Sequence, residues 1–209
     1  NVPLKDENNQ VTSYIGFSTD ITQLSLLRNN LQEQVEEEIN RRQQQEHLAT
    51  TDKLTKLNNR AKLDQEMFNQ VHQAQLFGQC FGVLLLDLDN FKQVNDTHGH
   101  QTGDLVLIDI GIILKKSVRQ IDILGRWGGE EFMIICPDTK PSGLMILAEK
   151  IRAKIELYDF PVVGNKTTSI GVAFFEQNDT LDSVVAKADS ALYKAKHNGK
   201  NRAEFWEIE

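Results

Sequence analysis

The feature that most constrains this chain is a run of aliphatic residues that ends in acid. Val83, Leu84, Leu85 and Leu86 are followed at once by Asp87-Leu88-Asp89. A continuous apolar run of this kind reads as a strand buried on both faces, so its sheet needs cover on two sides. Unpaired carboxylates are costly in such a core, which places the strand's exit at Asp87. Side chains alternate along a strand, so Asp87 and Asp89 share one face at its C-terminal end. Carboxylates grouped there are hard oxygen ligands suited to Mg²⁺. Taken alone, they also fit a pair of capping or turn aspartates.

The elements around that strand describe an α/β (α+β) domain over residues 51–209. Leu63, Met67, Val71 and Ala74 mark an amphipathic helix, and so do Leu144, Leu147, Ile151 and Ile155. A long helix is expected over 104–119. Strands are expected at 81–88, 121–127, 130–136, 167–175 and 203–208, with Gly128-Gly129 making a hairpin turn between the second and third. Val185, Ala188, Leu192 and Ala195 put small apolar residues on one helix face, and Gly199 supplies a C-terminal stop. One tight hairpin combined with helical crossovers implies a five-stranded, mainly antiparallel sheet flanked by helices.

Upstream, residues 23–50 lack Gly and Pro. Leu24, Leu27, Leu31, Val35 and Ile39 recur at steps of three and four, a thin stripe between charged faces. That pattern fits a short two-stranded coiled coil or a solvated linker helix. Residues 1–22 hold two β-like runs, 2–4 and 11–18, around the polar turn 5–10. Two strands cannot make a core of their own, so they read as the end of a larger domain. The chain opens on Asn1 with no signal peptide, which suggests a piece of a longer protein, with any membrane anchor of the parent lying upstream.

Composition narrows the function. Net charge is −7, which argues against a face built for a nucleic-acid backbone but not against small phosphate ligands. No apolar run is long enough to cross a bilayer, so no membrane contact is expected of this segment. Cys80 and Cys136 both sit in apolar segments and read as small core residues in a reducing, cytoplasmic setting.

Three further constellations carry chemistry. Glu130 and Glu131 follow the paired glycines and read either as a solvated acid pair after a turn or, where a neighbouring strand brings Asp87, as part of a divalent-metal site. Asn90-Phe91-Lys92 turns into a helix whose first N–H groups can hold phosphate oxygens. Asn95 and Asp104 flank a polar segment, 96–103, read as a loop, and an amide and a carboxylate there match the donors of guanine. His98 and His100 within it are read as structural rather than metal-binding. Lys196 and Lys200, at and just beyond the end of the last helix, read by themselves as helix-end cations; beside a triphosphate they would meet its terminal phosphates.

Five ordered segments closely resemble the GGDEF family of diguanylate cyclases: TDKLTKLNNR (51–60), LLLDLDNFKQVNDTHGHQTGD (84–104), GRWGGEEF (125–132), TSIGVA (168–173) and ADSALYKAKHNGKNR (188–202). The resemblance implies a palm-like nucleotidyl cyclase fold and the condensation of two GTP into cyclic di-GMP with release of two pyrophosphates. It implies Mg²⁺ (or Mn²⁺) held by Asp87, Glu130 and the Leu88 carbonyl, with Glu131 in the same acid pair. It implies guanine readers at Asn95 and Asp104. Asn90, Phe91, Lys92, Gly128, Gly129, Lys196 and Lys200 would hold the phosphates. The family more often has Arg at position 200, and Lys cannot make a bidentate fork, so weaker GTP binding is expected.

The resemblance further implies that two domains must face each other, each bringing one GTP, which gives a homodimer and a purpose for the helix at 23–50. Arg119-Gln120-Ile121-Asp122 has the spacing of the family's inhibitory product site. Lys150 stands where a second arginine is often found, so product inhibition is expected to be weaker. The alternative is a catalytically silent module that binds cyclic di-GMP at Arg119 and Asp122. VPLKDENNQ (2–10) and YIGFSTDIT (14–22) resemble the end of a PAS sensory domain.

Overall fold

A computed structural model of the chain describes residues 2–15 and 22–207. The strand reading of 16–18, the Asp20-Ile21 junction and Ile208 lie outside the described residues, as does the side chain of Leu24. The chain divides into two units, Asn1–His47 and Leu48–Glu209.

In the first unit, β1 (Val2–Lys5) pairs antiparallel with β2 (Val11–Ile15), Val2 opposite Ile15 and Pro3 opposite Tyr14. Asp6 closes the turn, its Oδ1 accepting from the N–H groups of Asn8 and Gln10 at 2.9 Å each. This is the polar turn expected at 5–10. Helix α1 (Thr22–Thr50) follows. Its apolar stripe of Leu27, Leu31, Val35 and Ile39 is exposed, and Glu38 pairs with Arg41 and Arg42.

The second unit is built on a five-stranded sheet. Helix α2 (Arg60–Phe77) is capped by the Asn59 side chain, which accepts from the Lys62 N–H, and ends at Gly78. It buries Leu63, Met67, Val71 and Ala74. Strand β3 (Phe81–Leu88) is buried along its whole length. Then come α3 (Phe91–His98), α4 (His100–Lys115), β4 (Ile123–Gly128), β5 (Glu131–Pro137) and α5 (Pro141–Glu156). A small hairpin of β6 (Asp159–Phe160) and β7 (Gly164–Asn165) leads to β8 (Thr168–Phe174), α6 (Leu181–His197) and β9 (Ala203–Phe205). Sheet order is β4-β5-β3-β8-β9, antiparallel except for the parallel β8–β9 pair.

Alternation along β3 explains the two layers. Leu84, Leu86 and Leu88 face the cluster completed by Val106, Leu107, Ile110, Ile151 and Ile155 of α4 and α5. Val83 and Leu85 face Leu63, Met67, Ala188 and Leu192 of α2 and α6. The same alternation carries Asp87 to the α6 side. Helix α6 packs directly on β8, because a Cβ on Gly171 would lie 2.0 Å from the Ala188 carbonyl oxygen. Both cysteine thiols are free, and Cys136 is fully buried, so burial pushes its pKa up, as expected of a core residue.

Three expectations are corrected and one element is new. The helix expected at 104–119 runs from His100 to Lys115. Segment 96–103 is not a loop but the junction of α3 and α4 at Gly99, where φ is +82°. Its polar residues and glycines have weak helix preference, and packing overrides it: a Cβ on Gly103 would sit 2.0 Å from Asn95 Oδ1. The last strand is three residues, and the β6–β7 hairpin carried no alternating pattern long enough to read.

Candidate active site

The site forms where β3 leaves the core. Antiparallel register sets Asp87 opposite Glu131 on one side and Ser169 on the other. Asp87 is buried (7% exposed), and Lys196 Nζ lies 2.8 Å from its Oδ2. Burial pushes the Asp87 carboxyl above its ordinary pKa. Lys196 opposes that, while the charges of Glu130 and Asp89 add to it. Glu131 is also raised, first by burial and then by the Asp87 charge.

Glu130 stands at the hairpin turn, where Gly129 takes φ +48°, a backbone conformation that favours glycine. Asp87, Leu88, Glu130, Lys196 and Lys200 line one cavity of about 200 Å³. Asn90, Phe91 and Lys92 close it at the start of α3. Asn90 is left-handed (φ +59°), and its Oδ1 accepts from Lys200 Nζ at 2.6 Å. Carboxylates, a backbone carbonyl and two ammonium groups around one cavity suit a divalent cation with a polyphosphate.

On α3, Asn95 Oδ1 is buried with no hydrogen-bond partner. A buried amide oxygen left unpaired costs free energy unless a ligand supplies the donor. Asp104 is exposed on α4, immediately after the Gly103 that packs against Asn95.

Asp89 lines the Asp87 cavity too, but its carboxylate is already engaged by donors of the chain. Thr167 Oγ1 (2.7 Å), Ser169 Oγ (2.7 Å) and the Asn201 N–H (3.0 Å) all donate to its carboxylate, which is buried. Glu131 lines a separate cavity of about 600 Å³ with Arg60, Trp127 and Asp189. Among the described residues, no three His, Cys, Asp or Glu side chains are arranged as a ready-made metal cage. His98 and His100 are both exposed at the α3–α4 junction.

Arg119 and Asp122 form a tight unit. The Arg119 N–H donates to Asp122 Oδ2 at 2.8 Å, and Arg119 Nη2 to Oδ1 at 2.7 Å. The same Nη2 also donates to the Pro137 carbonyl at 3.0 Å. The Asp122 side chain is fully buried and the Arg119 side chain is half exposed. Lys150 donates from α5 to the Ser117 carbonyl at 2.8 Å, two residues before Arg119.

Sequence reasoning missed three contributors. Arg126 donates Nε and Nη2 to the Gly129 carbonyl at 2.8 and 2.7 Å and reaches Asp52 with Nη1 at 3.4 Å. Asn201 joins Asp89 to α5. Arg126 and Asp52 lay inside the quoted GRWGGEEF and TDKLTKLNNR segments, so their position was visible but their contact was not.

Among the described residues, no helix is long and apolar enough to cross a membrane. Residues 49–202 match the family described as "Diguanylate cyclase, GGDEF domain". The response regulator PleD of Caulobacter vibrioides is 39% identical over 181 residues, covering 84% of this chain and 37% of that protein. The diguanylate cyclase DgcM of Escherichia coli is 38% identical over 160 residues, 77% of this chain and 39% of that one. The chain thus spans less than two fifths of the length of these relatives. The coiled coil and GGDEF domain of DgcB from Caulobacter crescentus, solved with c-di-GMP, superposes with a TM-score of 0.80 at 30% identity, covering 87% of this chain and 98% of that one. This chain belongs to the GGDEF family of diguanylate cyclase domains.

Proposed function

We infer that this chain condenses two GTP into cyclic di-GMP and two pyrophosphates. The observation that carries the reading is the single cavity in which Asp87 and Glu130 meet Lys196 and Lys200 beside the turn into α3. Asp87, Glu130 and the Leu88 carbonyl fit Mg²⁺, with Mn²⁺ as the alternative occupant. When bound, the cation neutralises charge on the phosphates and makes the attacking hydroxyl more acidic.

The residues of the chain do the rest. Asn95 takes the guanine N–H donors on its unpartnered Oδ1, and Asp104 takes a second. The first N–H groups of α3, at Phe91 and Lys92, hold phosphate oxygens. Lys196 and Lys200 trade Asp87 and Asn90 for the terminal phosphates, which then leave as pyrophosphate. The 3′-hydroxyl of the opposing GTP attacks the α-phosphate, and Glu130 accepts its proton. Glu131 completes the acid pair and keeps the local field negative.

One domain offers one such cavity, so catalysis needs two copies face to face. The exposed Leu27, Leu31, Val35, Ile39 stripe of α1 supports a two-stranded coil as the device that brings them together. In this reading 1–22 is the end of a PAS sensor, 23–50 the signalling helix, 51–209 the cyclase, and the location cytoplasmic. Arg119 and Asp122, with Lys150, form the site where product binds and inhibits.

The test is incubation with GTP and Mg²⁺, with product identified by chromatography. Wild type makes cyclic di-GMP, and Glu130→Gln makes none while unfolding at the same temperature. Absence of product from wild type at dimer-forming concentrations overturns the reading.

A further inference from the structure

Lys200 is followed by Asn201, whose N–H and side-chain amide are both committed. The Asn201 N–H donates to Asp89 Oδ2 at 3.0 Å. Its Nδ2 donates to Glu156 Oε1 at 2.7 Å, and its Oδ1 accepts from Arg152 Nη1 at 3.0 Å. Arg152 is itself held by Glu149 and Glu156, at 2.8 Å each, so a fixed acid–base row on α5 grips this one amide. Asp89, on the other side, is anchored to β8 through Thr167 and Ser169. Asn201 is thus tied to β3, β8 and α5 at once.

The backbone shows what that grip holds. Lys200 and Asn201 are consecutive left-handed residues, φ +62° and +47°, and neither is glycine. Asparagine tolerates this conformation and lysine does not favour it, so an unsupported chain would leave it. The Lys200 N–H is tied back to the Ala195 carbonyl at 3.0 Å, and its ammonium arrives at Asn90 and the cavity. A lysine ammonium is a point charge on a flexible stem, without the fork that orients an arginine. Its placement therefore depends on where its backbone begins.

We propose that Asn201 is a positioning residue: its amide, gripped by Arg152 and Glu156, holds Lys200 in the left-handed turn that sets its ammonium over the phosphate end of the cavity. The inference rests on the reading of that cavity as the GTP site. It also assigns Asp89, the second acid of the strand end, the task of anchoring this turn.

The experiment measures binding of 3′-deoxy-GTP, which lacks the attacking hydroxyl, with Mg²⁺ by calorimetry, alongside steady-state turnover of GTP. Asn201→Gly keeps the left-handed backbone and loses the amide. It is expected to weaken binding and raise KM roughly five- to tenfold, with kcat held within about twofold. In a Lys200→Ala background the same change adds less than about twofold, because both variants remove one interaction. Asn201→Asp, which still accepts from Arg152 but opposes Glu156, gives an intermediate loss and carries the test if the glycine variant fails to fold. Unchanged affinity in Asn201→Gly, or a full additive loss in the Lys200→Ala background, overturns the proposal alone. Failure of wild type to bind 3′-deoxy-GTP overturns the cyclase reading and this proposal with it.

Discussion

Lys196 Nζ lies 2.8 Å from Asp87 Oδ2, and both line the cavity proposed to take phosphate and metal. The carboxylate is buried and its pKa is raised chiefly by that burial, so the folded chain carries an electrostatic cost at this position. Asp87→Asn removes the charge at nearly the same volume and leaves an oxygen for Lys196. It is expected to lower turnover by roughly a hundredfold or more, since the cation loses its most buried ligand. The thermal midpoint should hold or rise, as at other sites where stability is exchanged for function. Thermal unfolding by circular dichroism and product chromatography check both. Substantial turnover, or a collapse of the midpoint, would count against this account of Asp87.

Arg119 spends its donors on Asp122 and the Pro137 carbonyl, yet half of its side chain stays exposed. If Arg119 and Asp122 form the proposed inhibitory site, Arg119→Ala raises the cyclic di-GMP concentration for half-inhibition about tenfold or more, through loss of the proposed guanidinium contact to a guanine edge. It should also cost about 1 kcal/mol of stability, because the buried Asp122 loses its side-chain partner. An inhibition curve unchanged beside a lowered midpoint would show that the pair is only structural.

The strand end at Asp87 and the alternation that sorts the core into two layers were legible because period-two patterning depends on neighbours in sequence. That Asp87 comes near the acid pair was anticipated as a clustering, but its register opposite Glu131 was not, since strand pairing is not written in local sequence. Asp89 stayed open between ligand and turn aspartate for the same local reason: sequence shows a carboxylate at a strand end, but not the two hydroxyls and one N–H that come 78 to 112 residues later. The start of α4 was missed because His100, Thr102 and Gly103 are weak helix formers whose conformation is decided by α3. Parallel addition of β9 to β8 left no trace in a three-residue segment.

Asp179 and Lys187 give the fold a pH signature. Burial pushes Asp179 up, but Lys187 (2.8 Å), the Glu176 N–H (2.9 Å) and the Ser183 hydroxyl (2.7 Å) outweigh it and hold its pKa below that of ordinary aspartate. Burial pushes Lys187 down, but Asp179 and Glu176 outweigh that and hold it above ordinary lysine. A lowered acid contributes fully above its unfolded pKa, about 3.9, and loses its contribution as pH falls through the native value. A raised base contributes fully below about 10.4 and loses its contribution as pH rises through the native value. Stability should be flat between these limbs as far as this pair is concerned. Asp179→Asn should flatten the acid limb and lower the plateau by about 1–2 kcal/mol. Lys187 Nζ sits 4.4 Å above the Trp206 ring, so Trp206 fluorescence in a Trp127→Phe background follows the transition. An acid limb identical in Asp179→Asn and wild type would contradict the assignment.

Arg126 holds the turn that carries Glu130. Two of its N–H groups converge on the Gly129 carbonyl at 2.8 and 2.7 Å, and a third reaches Asp52 at 3.4 Å. Gly129 needs φ +48°, and the residue after it is the proposed ligand and base, so an error in this turn moves Glu130 directly. Lysine keeps the charge but cannot place two parallel donors on one oxygen. Arg126→Lys is therefore expected to lower kcat about tenfold, with GTP affinity changed by less than about twofold, since a small misplacement of a reacting group costs rate more than binding. Asp52→Asn should have a smaller effect, because its contact with Arg126 is long and the Gly129 bonds survive it. Steady-state kinetics on both variants separates the two contacts. An Arg126→Lys enzyme with wild-type kcat would show that the glycine turn holds Glu130 without help.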